Sequence, residues 1–249
     1  MTTDYDTIAE DYRRAKQQPW RTYIESFTLM NIIGDLREKS VIDLACGEGF
    51  YTRILRQAGA AKVVGIDLSE GMIELARAEE TRYPLGVTYQ VQDGRTLELG
   101  QEFDLVVAAY LFNYAKDRSE LDAMCRGIAR VLKPGGRLVT VNSNPSANFA
   151  ELPSFRKYGF ETRIGDKLAE GSPIIWTFHL AQHSIEVENY YLNLPTHEEA
   201  LTHAGLGEIR WHSPSLSPQR VAEDTPDSYW NDFLEYPPIT FIECRKQIS

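Results

Sequence analysis

Val41–Leu55, VIDLACGEGFYTRIL, sets Asp43 four residues ahead of Gly47, a second acid, Glu48, between Gly47 and Gly49, and helix-forming residues directly after. A strand that enters a glycine turn and leaves as a helix brings backbone N–H groups to the carboxyl edge of a sheet, where open α/β folds bind ligands. The dinucleotide fingerprint would put a third glycine at position 52, where Thr52 stands. Asp43 and Glu48 oppose a diphosphate and suit a cationic or amino group. Asp67, at the end of the next apolar run, is placed to accept the hydroxyls of a ribose. An acid favoured by a helix dipole is the plainer alternative for Asp67.

The elements that must hold these residues follow from periodicity. Apolar bursts (SVIDLAC, AKVVGIDL, GVTYQVQD, FDLVVAAYLF, RLVTVNSN) alternate with amphipathic stretches, the pattern of βα units feeding a parallel sheet. Residues 22–36 read as a first helix, residues 51–60 as a helix closed at Gly59, and Ser69 as the cap of the helix that follows. The helix from Asp117 is expected to stop at Pro134 and a Gly135-Gly136 turn before the fifth strand. TFHLAQHSIEVENYYLNL has a period of two with no helix between its halves and reads as an antiparallel addition. The expected fold is α/β: a doubly wound, mostly parallel seven-stranded sheet with an antiparallel cap insertion. Its expected parts are an N-terminal helical lid at 1–36, a cofactor core at 37–145, a substrate cap at 146–195 and the end of the core sheet at 196–249.

A ribose, no phosphate and a positive centre near Asp43 together describe S-adenosylmethionine. The series VIDLACGEGFYTRIL, VVGIDLSEGMIELAR, VQDG, FDLVVAAYLFNYA and VLKPGGRLVTVN resembles the ordered motifs of the class I S-adenosylmethionine-dependent methyltransferases. The whole arrangement, with LFNYA after strand four and a long cap before the last helix, is similar to the small-molecule N-methyltransferases of the toxoflavin type. The resemblance implies that Asp43, Ala45, Gly47 and Gly49 line the methionine part, and that Asp67 holds the ribose with Leu68 and Met72 beside it. It also implies Asp93 and Gly94 at the adenine, with Ala109 and Tyr114 closing over the cofactor. Asp93 otherwise reads as a turn acid. The N-terminal segment supplies lid candidates in Tyr5, Tyr12 and Arg21, with a tyrosine near the sulfonium and the arginine on a carboxylate. The product would be S-adenosylhomocysteine.

Methyl transfer from a sulfonium is an in-line displacement that needs alignment and exclusion of water more than a strong base. Candidate catalytic residues are His179, Tyr114 and Tyr5, with His179 either a general base beside Trp176 and Phe178 or a structural histidine. Tyr110, Phe112, Tyr114, Trp176, Phe178, Tyr190, Tyr191 and Trp230 are either an acceptor box for a planar molecule or core. The histidines fall into no metal-ligand pattern, so no metal is expected. Cys46 in the glycine turn has no cation in the motif to lower its pKa and reads as a small residue that fits.

A net charge of −10 makes nucleic acid a poor partner, since that affinity comes from Lys and Arg on phosphates. A small-molecule acceptor is expected, with the protein a monomer or homodimer. Three scattered cysteines, no secretory leader pattern and no membrane-length apolar run point to the cytoplasm. The alternatives are a nicotinamide-dependent reductase on a Rossmann-like sheet and a non-catalytic S-adenosylmethionine-binding regulator.

Overall fold

The computed structural model of the 249-residue chain describes residue 11, residues 13–219 and residues 226–248. Parallel strands β1 (Ser40–Leu44), β2 (Lys62–Asp67), β3 (Thr88–Val91), β4 (Phe103–Ala109) and β5 (Leu132–Ser143) lie in the order 3-2-1-4-5. The sheet is completed beyond β5 by the antiparallel β10 (Ile239–Lys246), which carries β9 (Leu206–His212) on its other side. Three further strands, β6 (Phe160–Ile164), β7 (Pro173–His179) and β8 (Ser184–Tyr190), form a separate antiparallel sheet. The β7–β8 hairpin is the alternating stretch seen in the sequence; β6 carries no clear alternation and is found only in the structure.

The sheet is buried on both faces because alternate residues feed opposite cores. Val41, Val63 and Val107 join one, with α2 (Phe50–Gln57) and α3 (Glu70–Arg82), while Ile42, Val64 and Val106 join the other, with α4 (Arg118–Val131) and α5 (Leu194–His203). Asp43 shares the parity of Val41, so its carboxylate is driven into the α2 face. There it accepts a 2.6 Å hydrogen bond from the Thr52 hydroxyl. The strand order reverses between β1 and β4, and at such a switch point the loops leaving the two strands diverge and open a crevice.

Local chemistry sets the ends of the elements. The Ser69 hydroxyl accepts from Met72 N at 3.1 Å and the Asp117 carboxylate accepts from Glu120 N at 3.0 Å, capping α3 and α4. The first expected helix divides into a π-helical turn, Arg21–Ser26, and α1 (Phe27–Ile33), ended by Gly34 at φ 72°. LKPGG is not a turn before β5 but its first part. The ladder to β4 shifts register between Phe103 and Leu105, and the Pro134–Gly135 irregularity is absorbed as a bulge.

The cap sheet is fastened to the core by rings. Trp20, ahead of the π-turn, lies 5.0 Å from Phe160 and 5.4 Å from Phe233 of α6 (Asn231–Glu235), and Phe155 stacks on Phe160 at 5.2 Å. All four are essentially inaccessible to solvent, and closely packed aromatic pairs add to the area they bury.

Gly127 in α4 lets that helix pass against the Gly94–Thr96 turn, where an added Cβ would collide with the Gly94 carbonyl oxygen. Gly127→Ala is expected to destabilise the fold by about 1–3 kcal/mol through overpacking, despite the better helix propensity of alanine. A lowered urea midpoint checks this.

Candidate functional site

A cavity of about 450 Å³ opens at the carboxyl edge of β1, β2 and β4, within the range of about 300–1,000 Å³ common to small-molecule sites. The glycine turn forms its floor. Gly47 has φ 56°, and a Cβ there would stand 3.1 Å from Lys16 Nζ and 3.9 Å from Met72 Sδ, so only glycine leaves the ligand side of the turn clear. Gly49, at φ 82°, starts α2 with its α-carbon against the Tyr89 ring and does not line the cavity.

The acids around the turn have separate tasks. Asp67 accepts from Gly47 N at 2.7 Å and Ser69 N at 2.9 Å, which locks the turn to the end of β2. Burial raises its pKa against those two N–H groups. A carboxylate has about four acceptor positions, so the Asp67 oxygens keep capacity toward the cavity. Asp43 lies below the floor, 1% exposed, and its Oδ1 has no hydrogen-bond partner among the described residues. Burial, opposed by the Thr52 hydroxyl and the Lys16 charge, pushes its pKa to about 7. Glu48, expected to repel phosphate, faces away from the cavity and is paired with Arg53 at 2.8 Å. The exclusion of phosphate therefore rests on acids other than Glu48, with Asp43 and Asp67 at the floor.

Of the other residues expected at the cofactor, Ala45, Leu68, Met72, Gly94, Ala109 and Tyr114 line the cavity. Leu68 is 64% exposed at its mouth. Asp93 lines it too while serving as a turn acid, accepting from Arg95 N at 2.9 Å and held below its usual pKa by the Arg95 guanidinium. Arg21 lines the cavity, but its guanidinium sits on the carboxylate of Glu25 at 2.9 Å. Tyr5 and Tyr12 fall outside the described residues.

His179 is a correction. Its ring is held between Glu161 Oε2 and Ser184 Oγ, each at 2.9 Å, and lines neither the cavity nor the smaller cleft described below. Trp176 and Phe178 face inward on β7, and the period of two turns His179 to the opposite face.

Glu25 and Lys16 of the wall were not singled out from the sequence, whereas Tyr110 and Trp176 were among the aromatic residues read as acceptor box or core. Glu25, 1% exposed, accepts from Arg21 Nη1, from the Tyr51 hydroxyl at 2.6 Å and from the Tyr110 hydroxyl. Arg21 and Glu25 are four apart, a pairing legible on any helix, and the π-turn aims both into the protein. Tyr110, the first residue after β4, has φ 67°, strained for a non-glycine, and its amide bonds Val141 O at 2.7 Å. Lys16, from the segment ahead of the π-turn, brings a positive charge to Asp43 and Asp67. Beside the cavity a cleft of about 10 Å³ lies between the cap sheet and Tyr110, and shares Arg21, Tyr110 and Tyr114 with it as a common wall.

Residues 41–136 match the family model described as a methyltransferase domain. N-demethylindolmycin N-methyltransferase of Streptomyces griseus is 28% identical over 84% of this chain and 90% of its own length. A ubiquinone biosynthesis O-methyltransferase of Coxiella burnetii is 34% identical over 44% of this chain and 46% of its own. An S-adenosylmethionine-dependent methyltransferase structure from Mesorhizobium loti shares the fold at a TM-score of 0.62, with 24% identity, covering 89% of this chain and 97% of that one. Residues 41–136 carry a methyltransferase domain, and the chain shares the Rossmann-like fold of S-adenosylmethionine-dependent methyltransferases. The nicotinamide reductase alternative is thereby set aside.

The donor set fits that cofactor. Asp67 would take the ribose hydroxyls, the glycine turn would leave room for the methionine chain, and Asp43 with its orphaned oxygen would balance the positive charge. Asp67→Ala is expected to weaken cofactor binding by about 1–3 kcal/mol, read by calorimetric titration. A cation above Asp43 favours its ionised form, so cofactor affinity is expected to rise as pH climbs through about 7, with proton release on binding below that pH. Titrations in buffers of different ionisation enthalpy check this, and Asp43→Asn should flatten the profile. In the free protein the sign is the reverse. A folded pKa raised above the unfolded value contributes stability that is full below the unfolded pKa and lost as pH rises through the folded one.

Proposed function

We propose that the protein transfers the methyl group to a nitrogen of a small planar heterocyclic or aromatic acceptor, with Tyr110 and Tyr114 flanking the point of transfer. The observation that carries this reading is the hydrogen-bonded group Glu25–Tyr110 in the wall between the cofactor cavity and the ring-lined cleft. Bound S-adenosylmethionine supplies an electrophilic methyl on sulfur. The chain has to dry the site, align the nucleophile and leave its lone pair free.

The Tyr110 hydroxyl donates a hydrogen bond to Glu25, and burial raises its pKa well above the ordinary phenol value, so it stays neutral. Its remaining lone pairs accept a hydrogen bond, which suits an acceptor N–H. Held in that way, a neutral amine directs its lone pair at the methyl carbon. As the N–C bond forms, the C–S electron pair returns to sulfur and the methylated nitrogen loses its proton to solvent. A phenol acceptor would need a base to ionise it, and His179 is not at the cavity.

The S. griseus relative is by its name an N-methyltransferase of a small molecule, which supports nitrogen as the acceptor atom. No helix among the described residues is long and apolar enough to cross a membrane, and the three cysteines are buried and free. Both fit action on a small molecule in a reducing cytoplasm, by a monomer or homodimer. The domain plan that goes with this reading keeps 1–36 as the lid, 37–145 and 196–249 as the core and 146–195 as the cap.

Tyr110→Phe is expected to slow methyl transfer about tenfold to a hundredfold, the rate equivalent of ~1–3 kcal/mol, with the cofactor dissociation constant unchanged. Transfer of labelled methyl to a panel of heteroaromatic amines and matched phenols measures this. Turnover of the phenols in preference to the amines would refute the nitrogen reading.

A further inference from the structure

Trp176 is 3% exposed, and its indole N–H has no hydrogen-bond partner among the described residues. An unmade hydrogen bond at a buried donor costs about 1–3 kcal/mol, so a donor left in this state calls for an occupant. Two other indoles are satisfied: Trp20 donates to Gln18 at 2.8 Å and Trp211 to Glu198 at 2.9 Å. Trp230 also has an unpartnered N–H, but it lines neither the cavity nor the cleft, whereas Trp176 lines the cleft.

The cleft has the size of its occupant. About 10 Å³ is the space of one water-sized probe, enough for a single oxygen atom and too little for a ring. Its walls are Trp176, Phe178, Val187 and Asn189 from the cap and Arg21, Tyr110 and Tyr114 from the core side. Trp176 cannot readily turn away, because Phe160 stacks on it at 5.2 Å and Phe178 at 6.1 Å. The Arg21 guanidinium, paired with Glu25 at 2.9 Å, packs 5.3 Å from the Tyr110 ring and 5.5 Å from the Phe178 ring. The cleft shares Arg21, Tyr110 and Tyr114 with the larger cavity as a common wall.

We infer that this cleft is an oxygen notch: the methyl acceptor carries a carbonyl-type oxygen on its ring system, and the Trp176 N–H reads that oxygen while the ring stays in the main cavity. The inference rests on the planar-acceptor reading above and narrows it to carbonyl-bearing molecules. Trp176 is a specificity residue, since the notch lies away from the cofactor floor.

The test uses the whole chain saturated with S-adenosylhomocysteine and two probes of matched shape, indanone and indane, which differ by a carbonyl. Isotope-labelled indole N–H signals are followed by NMR, with Trp176→Phe identifying the Trp176 signal. Indanone is expected to bind at least about tenfold more tightly than indane and to shift that signal downfield. In Trp176→Phe, which keeps an aromatic ring and loses the donor, the two probes should bind equally, with cofactor-product affinity unchanged. Equal binding of both probes to the wild type, or a preference for indanone that survives in Trp176→Phe, would overturn the notch and leave the planar-acceptor reading standing. Binding of neither probe would overturn both.

Discussion

The buried carboxylate of Glu25 is the interaction on which the arrangement of the site depends. A charge removed from water is tolerated only when it is paired and hydrogen-bonded, and the partners here come from three places in the chain. Arg21 belongs to the same π-turn, Tyr51 to the first turn of α2 and Tyr110 to the end of β4. Satisfying one carboxylate therefore draws the N-terminal segment over the glycine turn and onto the end of β4. The same segment carries Lys16 to the two acids of the floor and Trp20 to the rings of the cap. Removing any one partner would leave a polar group buried without compensation, so the lid, floor and wall are set together.

Of the four non-glycine residues with positive φ among the described residues, two stand at that edge. Ala45 after β1 and Tyr110 after β4 both have positive φ, 59° and 67°, a conformation that costs a non-glycine of order 1 kcal/mol or more. Both residues follow the strands that flank the reversal of strand order. The turn after β1 is held by Cys46 N on Ile66 O at 3.0 Å and by Asp67 on Gly47 N, and the turn after β4 by Tyr110 N on Val141 O. Cys46 is one of these supports, and burial raises its thiol pKa well above the usual value, consistent with a small residue that fits and with no thiolate chemistry. The cap is tied to the same edge from its own side, where Asn113 donates to Asn189 of β8 at 3.3 Å and accepts from Ser143 N at 3.0 Å.

Much of the floor was legible because its signals are local. The spacing of Gly47, Asp67 and Asp93 follows from strand and turn lengths, and each of these residues acts on neighbours in the sequence or on the adjoining strand. Glu48 misled because a sequence shows an acid beside the glycines and not the Arg53 that neutralises it one helical turn later. His179 misled for another reason. The alternation that marked β7 also assigns Trp176 and Phe178 to one face and His179 to the other, so the parity rule could have excluded it without coordinates.

From the sequence alone came the parallel sheet, its glycine turn, the acid at the end of β2 and the expectation of a cationic cofactor without phosphate. All depend on periodicity, glycine chemistry and charge over short separations, which neighbouring residues determine. How the wall between the cavity and the cleft comes together was decided only by tertiary structure. Glu25, Tyr110 and Trp176 come from the N-terminal segment, the end of β4 and the cap, and nothing in their spacing announces that they meet. They meet because buried charge must be compensated and aromatic surface must be covered, conditions that exist only once the chain has closed on itself.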